Sequence, residues 1–459
     1  AMILTRRTLL AGAAAAPFLP LRAAAQADDG FVRLEARPGA LKLVETGETQ
    51  ALTFGGASPG PVIRVKKGEE LKARLVNGLD QPTSIHWRGV RGPNAMDGVA
   101  PLTQKPVAPG ETFDYRFTPP DAGVFLYHAH AEPTFAAQTE RGLAGVLLVE
   151  DPASPAVDRD LVVVLDDWKL DDAGALAACG PGALFARADL AGAGRVGALV
   201  TVNGKAAPER HEAAPGSRVR LRLVNAATAR IMPLTIEGAQ PMVVAIDGQP
   251  CTAFPPVRST IPAGPGARFD VVFDMPAEGE TARLTLRGMN GEADRPVMAF
   301  ESRGAAATAR PPIEAGPLNP LLPEEIRLQN ARRLDLVIEA ASGEDLKGCA
   351  DGGVSFWRLN GKPGPLAQPL FSVKRGAPVS LGFVNKSAVN HVMRVHGHVV
   401  RQLHLLDDGW EPYWRDSVIV PAGRTVRVAF VADNPGRWRL GAGVLEHAAA
   451  GLAAMFEVT

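Results

Sequence analysis

Eight of the nine histidines in this 459-residue chain fall into two groups, between residues 86 and 130 and between residues 391 and 447. In the first group, His86 stands two residues before Arg88, and His128 two residues before His130. Neutral imidazoles suit copper or zinc, and Cu(II) is favoured on intrinsic affinity. An arginine is always charged and has no acceptor atom, so it cannot ligate a metal. The histidines therefore indicate a metal site assembled from two distant parts of the chain and interrupted by arginine.

A threefold repeat supplies the elements that must position these side chains. Three turn-and-strand segments run from Gly68 to Asn77, from Gly216 to Asn225 and from Gly376 to Asn385, and each asparagine stands nine positions after its glycine. Repetition over such a long period indicates tandem domains. Short alternating strands between Gly/Pro turns, in a chain with 48 glycines and 39 prolines, favour an all-β fold of Greek-key sandwiches. We expect domain 1 at 31–152, domain 2 at 157–305 and domain 3 at 330–459.

The repeat also predicts which residues of domains 1 and 3 are equivalent. A second repeated element begins at Gly110, Gly266 and Gly423. Counted from the repeated asparagines and glycines, the pairs are His86 with Arg394, Arg88 with His396, His128 with Gly441, and His130 with Gly443. These pseudo-symmetric positions should face each other across an interface between domains 1 and 3. Four of the eight positions hold histidine, two arginine and two glycine.

The same segments resemble the copper motifs of the multicopper oxidases along the whole mature chain. His86-Trp87-Arg88-Gly89 resembles His-Trp-His-Gly, and Tyr127-His128-Ala129-His130 resembles Trp-Tyr-His-Ser-His. His391 to His398 resembles His-Pro-x-His-x-His-Gly, and Gly441-Ala442-Gly443 to Leu452 resembles His-Cys-His-x3-His-x3-Gly-Met. The resemblance implies three cupredoxin-like domains and descent from copper-dependent oxidoreductases.

The resemblance also implies which ligands this chain has lost. His86 and Arg394 would stand at the type 2 copper, Arg88, His128 and Gly443 at one type 3 copper, and His130, His396 and Gly441 at the other. The vestigial type 1 site would consist of His391, Ala442 in place of the cysteine, His447, and Leu452 at the axial position. Residual metal ligands are His86, His128, His130 and His396, with Asp97 beside them. We expect no copper or one copper, and not the full set of four.

Two functions remain open at this stage. One is a non-redox periplasmic binding or scaffold protein, because the chain is similar to a copper-free family member that supports bacterial cell division after twin-arginine export. The other is a copper-binding protein or oxidoreductase with one mononuclear copper between domains 1 and 3. Laccase-type activity should be absent, and no catalytic residue can be assigned.

The N-terminus resembles an export signal. Thr5-Arg6-Arg7 begins a twin-arginine pattern, and Ala25-Gln26-Ala27 fits a cleavage site, so we expect a signal peptide over 1–27 and a periplasmic protein. The apolar run is too short for a transmembrane segment. The 49 basic and 49 acidic residues cancel, which gives no indication of a nucleic-acid partner. A periplasmic protein partner fits the scaffold hypothesis. The substrate, the oligomeric state and the pairing of Cys179, Cys251 and Cys349 stay open.

Overall fold

Strands make up almost all of the regular structure in this computed structural model, which describes residues 29–289, 291–343, 345–365, 367–404 and 409–459. The predicted signal peptide, 1–27, lies outside these residues. Within the described part of the chain, no helix is long and apolar enough to cross a membrane. The short α-helices are α1 (Phe135–Glu140), α2 (Arg187–Ala191) and α3 (Leu445–Ala449), and 3₁₀ turns occupy Asn94–Met96, Val257–Ser259 and Leu328–Asn330.

Domain 1 consists of two four-stranded sheets. Its strands are β1 (Val32–Val44), β2 (Gly47–Phe54), β3 (Ile63–Lys66), β4 (Leu71–Asn77), β5 (Ile85–Arg88), β6 (Thr112–Phe117), β7 (Gly123–Ala129) and β8 (Ala144–Glu150). The strand orders are β2-β1-β4-β6 and β3-β8-β7-β5. Trp87, Tyr115 and Leu147 lie in the apolar core between the sheets.

Domain 2 has a seven-stranded and a five-stranded sheet. Its strands are β9 (Arg159–Trp168), β10 (Leu199–Val202), β11 (Lys205–Ala206), β12 (Glu209–Ala213), β13 (Arg218–Asn225), β14 (Met232–Glu237), β15 (Met242–Ile246), β16 (Gln249–Phe254), β17 (Ile261–Ala263), β18 (Arg268–Asp274), β19 (Thr281–Leu286) and β20 (Arg295–Ser302). The orders are β11-β10-β9-β13-β18-β15-β16 and β12-β20-β19-β14-β17.

Domain 3 has a six-stranded and a five-stranded sheet. Its strands are β21 (Arg332–Ala340), β22 (Trp357–Leu359), β23 (Lys362–Pro363), β24 (Ser372–Val373), β25 (Ala377–Asn385), β26 (His391–Val395), β27 (Arg401–Gln402), β28 (Ser417–Val420), β29 (Thr425–Ala432), β30 (Gly436–Ala442) and β31 (Ala453–Val458). The orders are β23-β22-β21-β25-β29-β27 and β24-β31-β30-β26-β28. The all-β prediction of three tandem cupredoxin-like sandwiches is confirmed.

The repeated asparagine has the same structural task in each domain. It ends β4, β13 and β25, strands that pair in parallel with the first strand of their domain and antiparallel with the strand of the second repeat. The side-chain amides of these asparagines each donate to one backbone carbonyl in the following loop and to one in a later segment, at Val107, Ala263 and Val420. The side-chain oxygen accepts the backbone N–H two residues further on. This network fixes the loop that leads into β5, β14 or β26.

A disulfide joins domains 2 and 3. Cys179 and Cys349 are bonded across 170 residues of chain, which assigns the pairing that the sequence left open. Cys251 is a buried free thiol, and burial raises its pKa to about 12. It is therefore a packing residue with little thiolate character.

Candidate functional site

Facing strands of domains 1 and 3 carry the predicted ligand positions. His86 on β5 is directly opposite His128 on β7, and His130 follows at the end of β7. From domain 3, Arg394 on β26 lies opposite Gly441 on β30. All four predicted imidazoles and both arginines are buried. The pseudo-symmetric arms expected from the repeat therefore line one interior region.

The structure brings the four predicted imidazole rings together. The ring centroid of His86 lies 5.4 Å from that of His128, 5.2 Å from that of His130 and 4.4 Å from that of His396. The ring nitrogens that could ligate a metal do not all converge as the rings do. Within the described residues, only His86, Asp97 and His396 place one possible ligand atom each within 4.8 Å of one another. Asp97, predicted beside the ligands, thus joins two of them, while His128 and His130 stand next to this group.

The rings of His86 and His396 are stacked, with Asp97 on one side and the guanidinium of Arg394 on the other. Both Nδ1 atoms face Asp97: His86 Nδ1 lies 2.8 Å from its backbone oxygen and His396 Nδ1 lies 3.4 Å from Oδ2. Both Nε2 atoms face one nitrogen of Arg394, Nη1, at 3.3 and 3.4 Å. Because Arg394 only donates, each Nε2 accepts and each Nδ1 carries the proton. Burial, reinforced by Arg394, holds the pKa of His396 well below its usual range.

Arg88 fills the space opposite Gly443. It donates from Nη2 to the carbonyl oxygen of Pro265 in domain 2 at 2.5 Å and from Nη1 to that of Gly443 in domain 3 at 3.3 Å. A Cβ atom at Gly443 would lie 2.9 Å from Nη2 of Arg88. The arginine side chain thus occupies volume that a larger residue at 443 would need, and it joins all three domains.

Gly441 is enclosed by backbone. A Cβ atom there would lie 2.5 Å from the carbonyl oxygen of Leu452 and 2.9 Å from Cα of Ala453. Ala453 is the first residue of β31, which pairs with β30, and Leu452 directly precedes it. Because both contacts are with backbone atoms, a side-chain rotation cannot relieve them. The backbone around Gly441 leaves no space for a histidine.

Three ring nitrogens in domain 1 have no hydrogen-bond partner within the described part of the chain. They are Nε2 of His128 and both nitrogens of His130, and all are buried. His128 uses its Nδ1 with the carbonyl oxygen of Ala129, and His130 stacks on Phe135 at 4.6 Å. Burial lowers the pKa of both histidines well below the usual value, so both are neutral. A buried polar atom without a partner indicates an additional ligand, a water molecule or a metal ion.

The two histidines predicted for the type 1 site contact each other. Nδ1 of His391 lies 2.9 Å from Nδ1 of His447, while Nε2 of His447 lies 2.7 Å from the carbonyl oxygen of Gly192. Because a carbonyl only accepts, His447 carries its proton on Nε2 and accepts from His391. Burial lowers the pKa of His391 to about 2 and that of His447 to about 4, so the pair is neutral near pH 7.

A segment of domain 2 at the end of α2 covers this histidine pair. Gly192 follows α2, and the carbonyl oxygen of Leu190 in α2 accepts the indole N–H of Trp357, which packs on both imidazoles. Ala442 and Leu452 are buried in the same apolar core, and the backbone N–H of Ala442 donates to the Leu452 carbonyl oxygen. All four predicted type 1 positions are thus part of a packed, closed interior.

An acidic group that sequence reasoning missed balances the buried arginines. Arg268 of domain 2 contacts Asp416 at 2.6 Å and Asp247 at 3.5 Å. Burial opposes ionisation of Asp416, but the attraction of Arg268, Arg394 and Arg88 outweighs it and lowers the pKa. The residues lie in three domains without any motif, and only their opposite charges among apolar neighbours could have drawn attention to them.

Comparisons with known proteins agree with this architecture. Three multicopper oxidase family models match residues 37–154, 159–286 and 338–459. The chain is 29% identical to multicopper oxidase MmcO of Mycobacterium tuberculosis, over 88% of this chain and 82% of that one. A multi-copper oxidase crystal structure from Pseudomonas thermotolerans is 32% identical with a TM-score of 0.81, over 93% of this chain and 98% of that one. Lac15 from a marine microbial metagenome is 31% identical with a TM-score of 0.73, over 92% and 99%. The chain therefore belongs to the multicopper oxidase family.

Proposed function

We propose that this protein is a non-redox member of its family, in which buried arginines replace copper ions between domains 1 and 3. The observation that carries the proposal is the position of Arg394, whose Nη1 atom lies within 3.4 Å of Nε2 of both His86 and His396. Those two lone pairs are the ones that a metal ion bridging the domains would need. The guanidinium supplies a fixed positive charge there instead.

The full copper set does not fit the residues present. Arg88 and Arg394 offer no lone pair, Gly443 faces Arg88, and Gly441 has backbone where a side chain would lie. A blue copper centre needs a thiolate and two imidazoles, and Ala442 provides no sulfur. The nitrogens of His391 and His447 that face each other satisfy each other at 2.9 Å.

A non-redox protein of this kind would act by binding. The twin-arginine pattern at Arg6-Arg7 and the cleavage site near Ala27 support export to the periplasm, where a protein partner is the natural ligand for a scaffold. The ion pairs of Arg268 and the buried hydrogen bonds of Arg88 and Arg394 would then serve to hold three domains in one orientation, so that surfaces from different domains reach a partner together.

A second function, a protein with one copper, is favoured by the unpartnered nitrogens. Nε2 of His128 and the ring nitrogens of His130 are neutral, buried and without hydrogen bonds. Two imidazoles with one or two further ligands can hold Cu(II). This site would use domain 1 alone and would leave Arg394 in place.

Metal analysis after copper loading separates the two functions. The mature protein is expressed with and without copper, dialysed, and measured for copper content, visible absorption and EPR signal. The non-redox proposal requires less than a tenth of an equivalent of tightly bound copper and no oxidase activity on phenols, about tenfold below a one-copper site. One equivalent with a type 2-like EPR signal, lost in His128→Gln but kept in the control His404→Gln, would establish the second function.

A further inference from the structure

Domains 2 and 3 enclose a cavity of about 600 Å³ on the face of β26 that carries Val392, opposite the face that carries His391. We propose that this cavity binds a small apolar molecule with an aromatic ring and one anionic or hydrogen-bond-accepting group. This inference concerns a different part of the molecule from the arginine and histidine cluster, and it does not depend on the copper content.

The cavity exists because a sandwich is left open at one end. β16 is the edge strand of the seven-stranded sheet of domain 2, and β17 is the edge strand of its five-stranded sheet. Between these edges, core residues such as Ile246, Ile261 and Phe269 reach the cavity wall. From the other side, Val392 on β26 and Ile419 on β28 complete an apolar surface. Its volume is within the range of about 300–1,000 Å³ typical of small-molecule sites.

The cavity is separate from the His391–His447 pair, although β26 contributes to both. Successive residues of a strand face opposite sides. His391 faces His447 and Trp357, whereas Val392 packs with Ala229 and Val444 at the boundary with domain 2. None of the predicted metal ligands lines the cavity.

One wall offers an aromatic surface beside a charged group. The rings of Phe254 and Tyr413 are stacked, 5.3 Å apart and 11° from parallel. The guanidinium of Arg415 lies 5.0 Å from the Tyr413 ring centroid and donates from Nη2 to Glu411 at 2.5 Å. Its Nε–H is buried and has no hydrogen-bond partner among the residues that the structure describes. A ligand ring can pack on these aromatic side chains while an acceptor atom of the ligand satisfies Nε.

The opening of the cavity favours an anion over a cation. Arg258 lines the opening with an exposed side chain, next to Val257, which is 70% exposed. The two lining carboxylates are already engaged: Glu411 pairs with Arg415, and Asp247 pairs with Arg268 and accepts the backbone N–H of Asp416. An incoming acidic group therefore meets one unengaged N–H and one surface arginine, and no unengaged carboxylate of the lining residues.

Titration with anilinonaphthalene sulfonate tests the proposal, because this fluorescent probe combines fused rings with one anionic group. The mature protein should bind one probe molecule saturably, with a blue-shifted emission. Ile419→Trp should fill the cavity and abolish the binding, while the control Leu321→Trp, at an exposed position outside the cavity, should leave it unchanged.

A second pair of variants tests the polar contact. Glu411→Gln keeps Arg415 and should bind the probe like the parent protein. Glu411→Gln combined with Arg415→Met removes the donor without leaving a buried carboxylate alone, and should weaken binding about tenfold, the typical effect of losing a charge-assisted hydrogen bond. Absent or non-saturable binding to the parent, or equal affinity for the parent and Ile419→Trp, overturns the proposal. Unchanged affinity in the double variant overturns the assigned role of Arg415.

Discussion

At the scale of single residues, Arg394 is the side chain to which the proposed function assigns the exclusion of metal from the interior between domains 1 and 3. Its Nη1 donates to Nε2 of His86 and to Nε2 of His396. The Nδ1 atoms of both rings face oxygens of Asp97. Each imidazole thereby offers its Nε2 lone pair to the same guanidinium. A metal ion would have to displace this buried guanidinium, whose pKa burial lowers although Asp416 and Asp97 attract its charge.

Arg394→Met should therefore increase copper affinity. The substitution keeps an apolar chain of similar length but frees Nε2 of both His86 and His396. Hydrogen bonds from a charged donor contribute about 1.5–3 kcal/mol, so Cu(II) should bind roughly 10- to 100-fold more tightly. Isothermal titration calorimetry with Cu(II) measures this change. Arg88→Met is the matched control, because Arg88 donates to carbonyl oxygens and should give little increase; equal affinities for the two variants would contradict the role of Arg394.

Ala442 is the residue whose replacement tests the vestigial type 1 site. Two nitrogens bound to one metal ion at about 2.0 Å each are roughly 3.3 Å apart in tetrahedral geometry, so His391 and His447 would need to separate by only about 0.4 Å. Ala442→Cys should then bind one Cu(II) and produce an intense visible charge-transfer band. The control Ala432→Cys puts a thiol in the same domain core and should stay colourless. A colourless Ala442→Cys after copper loading would show that Ala442 is not at the thiolate position.

At the scale of elements, the pairing of β30 with β31 explains why Gly441 and Gly443 differ in how easily each could accept a side chain. At Gly441 an added Cβ meets backbone of Leu452 and Ala453, whereas at Gly443 it meets the ends of Arg88 and Val392 side chains. Backbone contacts within a sheet relax only by shifting strands, while side chains rotate. The two glycines of one triplet are therefore under different constraints.

Gly441→Ala should destabilise the protein by about 1–3 kcal/mol, the usual cost of overpacking, and Gly443→Ala by less. Combining each with Arg88→Met separates the causes. The cost at Gly443 should shrink in that background, and the cost at Gly441 should not change, as measured by urea unfolding of all single and double variants. Equal relief at both positions would mean that Arg88 is not what limits the space at Gly443.

The sequence allowed the strands and the equivalent positions to be predicted, because both depend on local pattern and spacing. The turn from Gly to Asn fixes β4, β13 and β25, and counting from it aligns His86 with Arg394. The donor geometry could not be predicted. Whether Arg394 faces His86, or Asp97 faces His396, depends on how two domains pack, and no periodicity records it. The Cys179–Cys349 disulfide and the Arg268 ion pairs stayed hidden for the same reason.

At the scale of the whole molecule, a buried carboxyl pair joins the three domains. Thr228 of domain 2 contacts Glu140 of domain 1 at 2.6 Å and Glu446 of domain 3 at 3.0 Å. One hydroxyl proton can be donated to only one carboxylate, so the second contact requires a protonated acid. Burial raises the pKa of both carboxyls, that of Glu446 to about 7. Arg195 forms an ion pair with Glu140, which leaves the proton on Glu446.

This proton makes the stability of the three-domain assembly depend on pH. In the unfolded chain Glu446 ionises near pH 4.5, whereas in the folded protein it keeps its proton up to about pH 7. The stabilisation is complete below pH 4.5 and is lost as the pH rises through 7, a change on the order of 3 kcal/mol at about 1.4 kcal/mol per pKa unit. Glu446→Gln, which is neutral at every pH, should therefore gain stability relative to the parent between pH 5 and 7.

Thermal unfolding midpoints of parent and Glu446→Gln across this range measure the effect. The difference between the two midpoints should grow in favour of the variant as the pH rises, and level off above pH 7. Glu457→Gln on β31 removes a carboxylate that pairs with Arg437 near the surface, and its midpoint should follow that of the parent. Parallel curves for parent and Glu446→Gln would place the shared proton on Glu140 or remove it altogether. The domain junction would then be a fixed ion pair of Glu140 and Arg195 rather than a contact that weakens towards neutral pH.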